Sequence, residues 1–284
     1  MAKLILGSPA AQAIIGKTKL RAAALAGRGV TPRLAIVRFG ERDGDIAYER
    51  GIRKTLGQIG IAAESTVLSS DAPTEELLLL LRTLSHDHTR HGILPMRPFP
   101  SQIDDMQARN ALPPEKDVDG VCDVSLSGLF TGIRSGFAPC TAEACIALLE
   151  HESLPIEGKR VVVVGRSLVV GKPVGMLLLQ KNATVTYAHS RTADLAAVTK
   201  AADILIVAAG RRALIGAEHV RQGQIILDVG MHFDGSGNLC GDVRFEEVEP
   251  IVSAITPARG GVGAVTTSIL ARHVIQAAEN STLT

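Results

Sequence analysis

The chain of 284 residues has no tryptophan, two tyrosines and six phenylalanines, so aromatic side chains make up only 3% of it. That scarcity excludes a row of rings on which nucleic-acid bases stack. It also leaves the core to Val, Ile, Leu and Ala. The four cysteines, Cys122, Cys140, Cys145 and Cys240, show no Cys-x-x-Cys spacing and no His-rich partner motif. No zinc or other metal site is expected from them; they read as scattered thiols of a reducing compartment. Charge of one sign is missing too: 30 Lys and Arg face 29 Asp and Glu, a net +1. A near-neutral chain argues against a general binder of nucleic acid or membrane surfaces. No apolar run approaches the length of a membrane span, and the stretch Met1–Lys17 has one positive charge ahead of a short apolar segment. The expectation is a soluble, cytoplasmic protein with no nucleic-acid or membrane partner.

The chain is rich in aliphatic residues, 46% hydrophobic against 21% charged. Its length suits two domains with cores large enough to need no disulfide. An Ala-rich stretch with Lys and Arg at helical intervals predicts a helix over 9–27, stopped near Gly27 and Gly29. Strands are predicted at Arg33–Phe39, Ala62–Leu68 and Gly92–Leu94, with helices over Asp45–Ile59 and Thr74–Leu84, the latter opened by a Thr-led capping pattern. Residues 116–136 read as loop. After a helix over Thr141–Leu149, with Thr141 as its N-cap, a cleaner alternation begins. Lys159–Val164 is a β-branched run suited to a strand buried on both faces. A helix over Pro173–Gln180, a strand Thr184–Ala188, a helix Leu195–Ala201 and strands Ile204–Val207, Ile225–Val229 and Ala254–Ile255 follow, before a closing helix over Thr266–Ala278. Such alternation predicts an α/β layered fold. The seam falls near 137–141, with the last helix returning to the first domain.

Between the β-branched run and its helix lies Gly165-x-Ser167-x-x-x-Gly171, with Pro173 in the first helical turn. Strand, glycine loop and helix form the context in which backbone N–H groups meet a phosphate, although a tight turn without a ligand has the same pattern. The next strand decides the cofactor type. NAD-preferring folds carry an acid about 20 residues on, for the ribose diol. Here Thr184–Thr192 contains none and offers His189, Ser190 and Arg191, with Arg166 in the first loop. Those groups suit a 2′-phosphate and hence NADP; solvated surface charge is the plain alternative. Val229 and Gly230 end a strand, where α/β folds bind ligands. Pro257, Gly260, Gly261 and Gly263 permit close backbone approach to a flat ligand or form a hinge.

Seven segments then occur in order: Lys116–Gly120 (KDVDG), Pro139–Thr141 (PCT), Val164–Pro173 (VGRSxxVGxP), His189–Thr192 (HSRT), Asp228–Gly230 (DVG), Gly241–Val243 (GDV) and Thr256–Thr266 (TPxxGGVGxxT). With them the chain resembles, over nearly its whole length, the bifunctional methylenetetrahydrofolate dehydrogenase/methenyltetrahydrofolate cyclohydrolase family. The resemblance implies two α/β domains with a cleft between them. Residues 1–138, joined by the helix of 267–284, would be the folate domain, and 139–266 a Rossmann-like NADP domain. It implies a homodimer in one-carbon and purine metabolism. Asp119 would hold the pterin ring, Tyr48 would be the active-site tyrosine, and Pro257, Gly260 and Gly261 would touch substrate. Gly165, Arg166, Ser167, Gly171, Pro173, His189, Ser190, Arg191, Val229 and Gly230 would hold NADP.

The pattern departs at two positions. The family lysine, four residues after the tyrosine, is Ile52, and the family glutamine of the GILVQLPLP element is Met96. A thioether cannot replace an amide, nor an alkyl chain an amine, in moving protons. Lys54 is the nearest lysine, but two residues turn it about 200° around a helix. Arg97 and Arg50 are the other positive charges available to compensate, and Arg259 stands where the family has proline. The expectation is an NADP-dependent dehydrogenase with weak or absent cyclohydrolase activity. A divergent paralogue acting on another substrate, or a non-catalytic cofactor-binding protein, is the alternative.

Overall fold

A computed structural model describes residues 1–133 and 135–282. In chain order the first elements are β1 (Lys3–Leu4), α1 (Gly7–Gly27), β2 (Arg33–Phe39), α2 (Asp43–Ile59), β3 (Ala62–Leu68), α3 (Thr74–His86), β4 (Gly92–Pro95), α4 (Asp105–Asn110) and α5 (Asp123–Thr131). Then come α6 (Cys140–His151), β5 (Arg160–Val164), α7 (Gly171–Leu179), β6 (Thr184–Ala188), α8 (Leu195–Lys200), β7 (Ile204–Val207) and β8 (Ile225–Asp228). The last are β9 (His232–Phe233), β10 (Leu239–Cys240), α9 (Phe245–Val248), β11 (Ala254–Ile255) and α10 (Gly263–Ser281). They divide into two compact units, one of Met1–Gln12 with Thr141–Thr266, the other of Ala13–Cys140 with Thr267–Thr284. Leu283 and Thr284, within the predicted C-terminal segment, lie outside the described residues.

The first unit is built on a six-stranded parallel sheet in the order β1-β11-β8-β7-β5-β6. β5 lies between β7 and the edge strand β6, with Val162 level with Leu205 on one side and Thr186 on the other. Its run of valines is buried, as a strand covered on both faces requires. Val162, Val164, Leu205, Val207, Ile226 and Ile255 share one core cluster. The second unit carries a three-stranded parallel sheet, β3-β2-β4. Val37, Phe39, Leu77, Leu81 and Ile93 form a cluster on it. In α2 the buried residues Ile52, Leu56 and Ile59 fall at i, i+4 and i+7, one helical stripe facing the core.

Several expectations need correction. Residues 1–12 do not stay with the stretch to 138. β1 pairs in parallel with β11, Lys3 beside Ala254 and Leu4 beside Ile255, and Ile5 is fully buried. A two-residue strand leaves no period in the sequence, so only its tertiary partner reveals it. Residues 116–136 are not all loop: α5 runs through them with Ser and Gly in its interior, residues that weaken the helical signal. α4 was likewise not foreseen; Asp104 caps it by accepting from the Gln107 amide at 3.0 Å. Thr74 is not an N-cap, since that place is held by Pro73. Its hydroxyl instead donates to the Gln102 carbonyl at 3.1 Å. Thr141 is the second residue of α6, not its cap.

Candidate functional site

The nucleotide-type site lies in the sheet unit that contains β5. Gly165 ends β5 with φ +132°, and a Cβ there would sit 2.1 Å from the Ala208 carbonyl oxygen. Gly171 leaves no more room, 2.6 Å from Gly165. Both glycines are thus demanded by the packing of the loop itself. Ser167 Oγ accepts from the amides of Val170 (3.2 Å) and Gly171 (3.3 Å), so the start of α7 is already capped from within. The expected open array of helix N–H groups is partly occupied for that reason.

A cavity of about 530 Å³ opens over this loop. Of the residues expected to hold cofactor, Gly165, Arg166, Ser167, His189 and Ser190 line it. Gly171, Pro173, Arg191, Val229 and Gly230 do not. Pro173 is buried inside α7, and Arg191 is exposed with its amide bonded to His189 Nδ1 at 3.2 Å. Gly230 belongs to a structural brace: Asp228 Oδ1 accepts from the amides of Gly230 (3.0 Å) and Asp242 (3.1 Å). Asp242 in turn accepts from the Ala209 (2.7 Å) and Gly210 (2.9 Å) amides. Burial pushes Asp228 up to about 6. The motifs DVG and GDV are therefore two halves of one packing device.

Sequence reasoning missed Thr192, Leu195, Ala208, Ala209, Arg211 and Leu214 in the cavity wall. Arg211 follows β7, and its signal was the placement after a strand end rather than any motif. Arg166 and Arg211 are both exposed, and neither makes a hydrogen bond or ion pair with another described residue. No carboxylate lines the cavity. Two uncommitted guanidinium groups without an acid fit a phosphorylated ribose and oppose a free diol-binding site.

The second cluster lies in the unit built on β2. Its frame is the turn Lys116–Gly120. Lys116 Nζ donates to the carbonyls of Ser85 (2.7 Å) and Asp87 (2.8 Å). Asp117 accepts from the amides of Val121 (3.1 Å) and Cys122 (2.8 Å) and the hydroxyl of Ser125 (2.9 Å). Gly120 has φ +70°, and a Cβ there would lie 2.5 Å from the Phe137 carbonyl oxygen. Lys116, Asp117 and Gly120 are thus consumed in making the turn. Asp119 alone keeps an accessible side chain among its carboxylates.

Tyr48, Cys140 and Arg97 each lie within electrostatic reach of Asp119, and Tyr48 within that of Cys140. Tyr48 stays 44% accessible, yet protein crowds its hydroxyl, as in a recess rather than a core. That crowding first, then the negative charge of Asp119, holds the phenol well above its ordinary pKa. Asp119 is likewise reachable but deeply surrounded. Burial, then repulsion from Asp117, pushes it up to about 6, against a hydrogen bond from Cys140 and the charge of Arg97. Arg97 pairs with Asp105 and lies over the Phe99 ring, 4.6 Å from its centroid. Its Nε and Nη2 atoms are buried without a hydrogen-bond partner.

The remaining predicted residues are elsewhere. Ile52 is completely buried and Met96 is 3% accessible, so both family positions face the core. Lys54 is exposed on α2, and its side chain makes no hydrogen bond or ion pair with a described residue. Pro257, Gly260 and Gly261 belong to the other unit, after β11. A Cβ at Gly261 would meet the Pro257 carbonyl oxygen at 2.3 Å, which makes this loop a tight turn in its own right.

A parallel-sheet unit with a basic, acid-free nucleotide cavity, joined in one chain to a second α/β unit carrying a recessed carboxylate and tyrosine, defines an NADP-type α/β dehydrogenase. Residues 5–119 match the family model of the tetrahydrofolate dehydrogenase/cyclohydrolase catalytic domain, and 139–282 that of its NAD(P)-binding domain. The chain belongs to the tetrahydrofolate dehydrogenase/cyclohydrolase family. It is 41% identical over 281 residues to the bifunctional protein FolD of Clostridium botulinum, covering 99% of this chain and 100% of that protein. It is 43% identical to FolD of Carboxydothermus hydrogenoformans, covering 98% of each. Among solved structures, FolD of Campylobacter jejuni superposes with a TM-score of 0.95 at 35% identity, covering 99% of both chains. The Trypanosoma brucei enzyme, determined with NADP cofactor and inhibitor, superposes with a TM-score of 0.94 at 34% identity, covering 100% of this chain and 99% of that one.

Proposed function

We propose that this protein oxidises 5,10-methylenetetrahydrofolate to the 5,10-methenyl form with NADP, and that it hydrolyses the methenyl product weakly or not at all. The observation that carries this reading is the survival of Asp119 and Tyr48 side by side while Ile52 and Met96 are sealed in the core.

NADP, when bound, supplies the hydride acceptor. Arg166 and Arg211 present uncommitted positive charge to its phosphates. The other expected cofactor residues, Gly171, Pro173, Arg191, Val229 and Gly230, act by shaping the loops and strand ends around the cavity. Asp119, ionised with help from Arg97, accepts two parallel hydrogen bonds from the amino and ring N–H edge of the pterin. Tyr48 stays protonated and offers a hydroxyl to the substrate. Pro257, Gly260 and Gly261 are the remaining substrate contacts of this reading. Hydride loss leaves a cation shared by two ring nitrogens, so this step needs position rather than a base.

Hydrolysis of that cation needs a proton acceptor and donor. Ile52 and Met96 offer neither. A guanidinium carries donors and no acceptor, so Arg97 orients and attracts but does not accept a proton. Lys54 points to solvent. Residues 13–140 with 267–284 form the folate unit, and 1–12 with 141–266 the cofactor unit. We further place the protein in the cytoplasm as a homodimer serving purine synthesis. Exposed Met231 and Phe233 beside the β9–β10 ribbon support a contact between copies, and no helix among the described residues is long and apolar enough to cross a membrane.

Titration with tetrahydrofolate and with NADP tests the reading. Binding of both supports it. Binding of NADP alone would favour a divergent paralogue with another substrate, and binding of neither a protein that has lost its chemistry.

A further inference from the structure

The carbonyl of Val118 takes two donors from distant parts of the chain. Cys140 Sγ lies 3.2 Å from it and His273 Nδ1 2.9 Å. His273 is 155 residues away in sequence, on α10. A carbonyl oxygen only accepts, so Nδ1 carries the hydrogen in this bond, and both lone pairs of Val118 O are engaged. Cys140 and His273 are 1% and 3% accessible, and their Sγ and Nδ1 atoms are 3.6 Å apart. The imidazole packs on Phe137, ring centroids 4.8 Å apart at 31°.

The peptide held in this way is the one that leads into Asp119. Its other constraints are already in place: the Val118 amide donates to the Lys116 carbonyl at 2.9 Å, and the Val118 side chain is fully buried. On the far side the Gly120 amide donates to the Asp117 carbonyl at 2.9 Å. With both neighbouring peptides fixed, the Cα–Cβ direction of Asp119 is fixed too. Cys140 also hydrogen-bonds the Asp119 carboxyl, on which His273 acts electrostatically as well; of the two donors to Val118 O, His273 Nδ1 makes the shorter bond, 2.9 against 3.2 Å.

We propose that His273 is a positioning residue for folate recognition: its Nδ1–H locks the Val118–Asp119 peptide and so aims the Asp119 carboxylate at the pterin. The proposal rests on the reading of Asp119 as the folate anchor. It makes α10 part of the substrate site without any contact between His273 and substrate.

Two conservative variants separate aiming from packing. His273→Asn returns an amide donor close to the Nδ1 position, whereas His273→Gln reaches the Nε2 position and leaves Val118 O short of a partner. The dehydrogenase reaction is followed with each, with Asp119→Asn alongside, measuring KM for methylenetetrahydrofolate and for NADP separately. The expected result is a folate KM within about twofold of wild type for His273→Asn. For His273→Gln it rises about five- to tenfold, the worth of one lost buried hydrogen bond, with the NADP KM unchanged in both. Equal folate KM values for the two variants, or parallel changes in NADP KM, would overturn the role of His273 while Asp119→Asn still impairs folate. An unaltered folate KM in Asp119→Asn would overturn the folate reading itself, and the proposal with it.

Discussion

The cofactor unit and the folate unit treat their polar groups in opposite ways. Around β5 the cavity keeps Arg166 and Arg211 uncommitted and contains no acid. Around β2, the two positions that the resemblance assigns to proton-moving side chains, Ile52 and Met96, lie in the core. Ile52 extends the Leu56 and Ile59 stripe of α2, and Met96 follows β4 into the interior, its amide bonded to the Val37 carbonyl at 2.8 Å. Hydride transfer asks the protein for placement, and placement survives. Water addition asks for a proton relay, and on the proposed reading Ile52 and Met96 offer packing in its place. On the proposed reading, loss of the cyclohydrolase step needs no damage to the fold, because Ile52 and Met96 contribute to the core.

The strongest way to break this contrast is to restore the relay. The double variant Ile52→Lys, Met96→Gln is expected to raise methenyltetrahydrofolate hydrolysis by about 100-fold or more, the scale of general acid–base catalysis. Dehydrogenase turnover should change far less, and the variant should melt lower because a buried apolar site now takes an amine. Next in size, Asp119→Ala should raise the folate KM about 100-fold, the loss of two hydrogen bonds to a charged acceptor, with NADP binding by calorimetry unchanged. In the cofactor unit, Arg166→Ala is expected to raise the NADP KM about tenfold and leave NAD turnover unaffected.

Acidity sharpens the same contrast. The Asp119 carboxyl is raised to about 6, so it takes up a proton as pH falls through that value and ceases to be a double acceptor. The kcat/KM for folate should be flat at neutral pH and fall about tenfold per unit below about 6, while NADP affinity shows no matching fall. Smallest of all, Lys54→Ala should alter neither activity by more than about twofold, the level expected of an exposed, unpaired side chain.

Much of this was legible in the sequence because it depends on local chemistry. The β5 valines, the glycine loop and the absence of an acid after β6 are each read within a short window. Asp119 and Tyr48 were reached only through the family resemblance, since a loop aspartate and a helix tyrosine have no distinctive spacing. Other features were hidden because their cause is tertiary. β1 exists only because β11 offers an edge, with Lys3 N donating to Ser253 O at 2.9 Å. Arg211 belongs to no motif, and His273 acquires meaning only when α10 brings it to Val118 O. Gly230 was expected at a ligand, and its amide is bonded to Asp228 in a brace; a strand-end glycine looks the same in either role.

The central claim is that one reaction survives and the other does not. Purified protein supplied with methenyltetrahydrofolate alone, and separately with methylenetetrahydrofolate and NADP, measures both through the methenyl absorbance. The account predicts that methenyltetrahydrofolate persists at the uncatalysed rate in the first mixture and accumulates, with NADPH, in the second. Rapid enzyme-dependent loss of methenyltetrahydrofolate at neutral pH would contradict it.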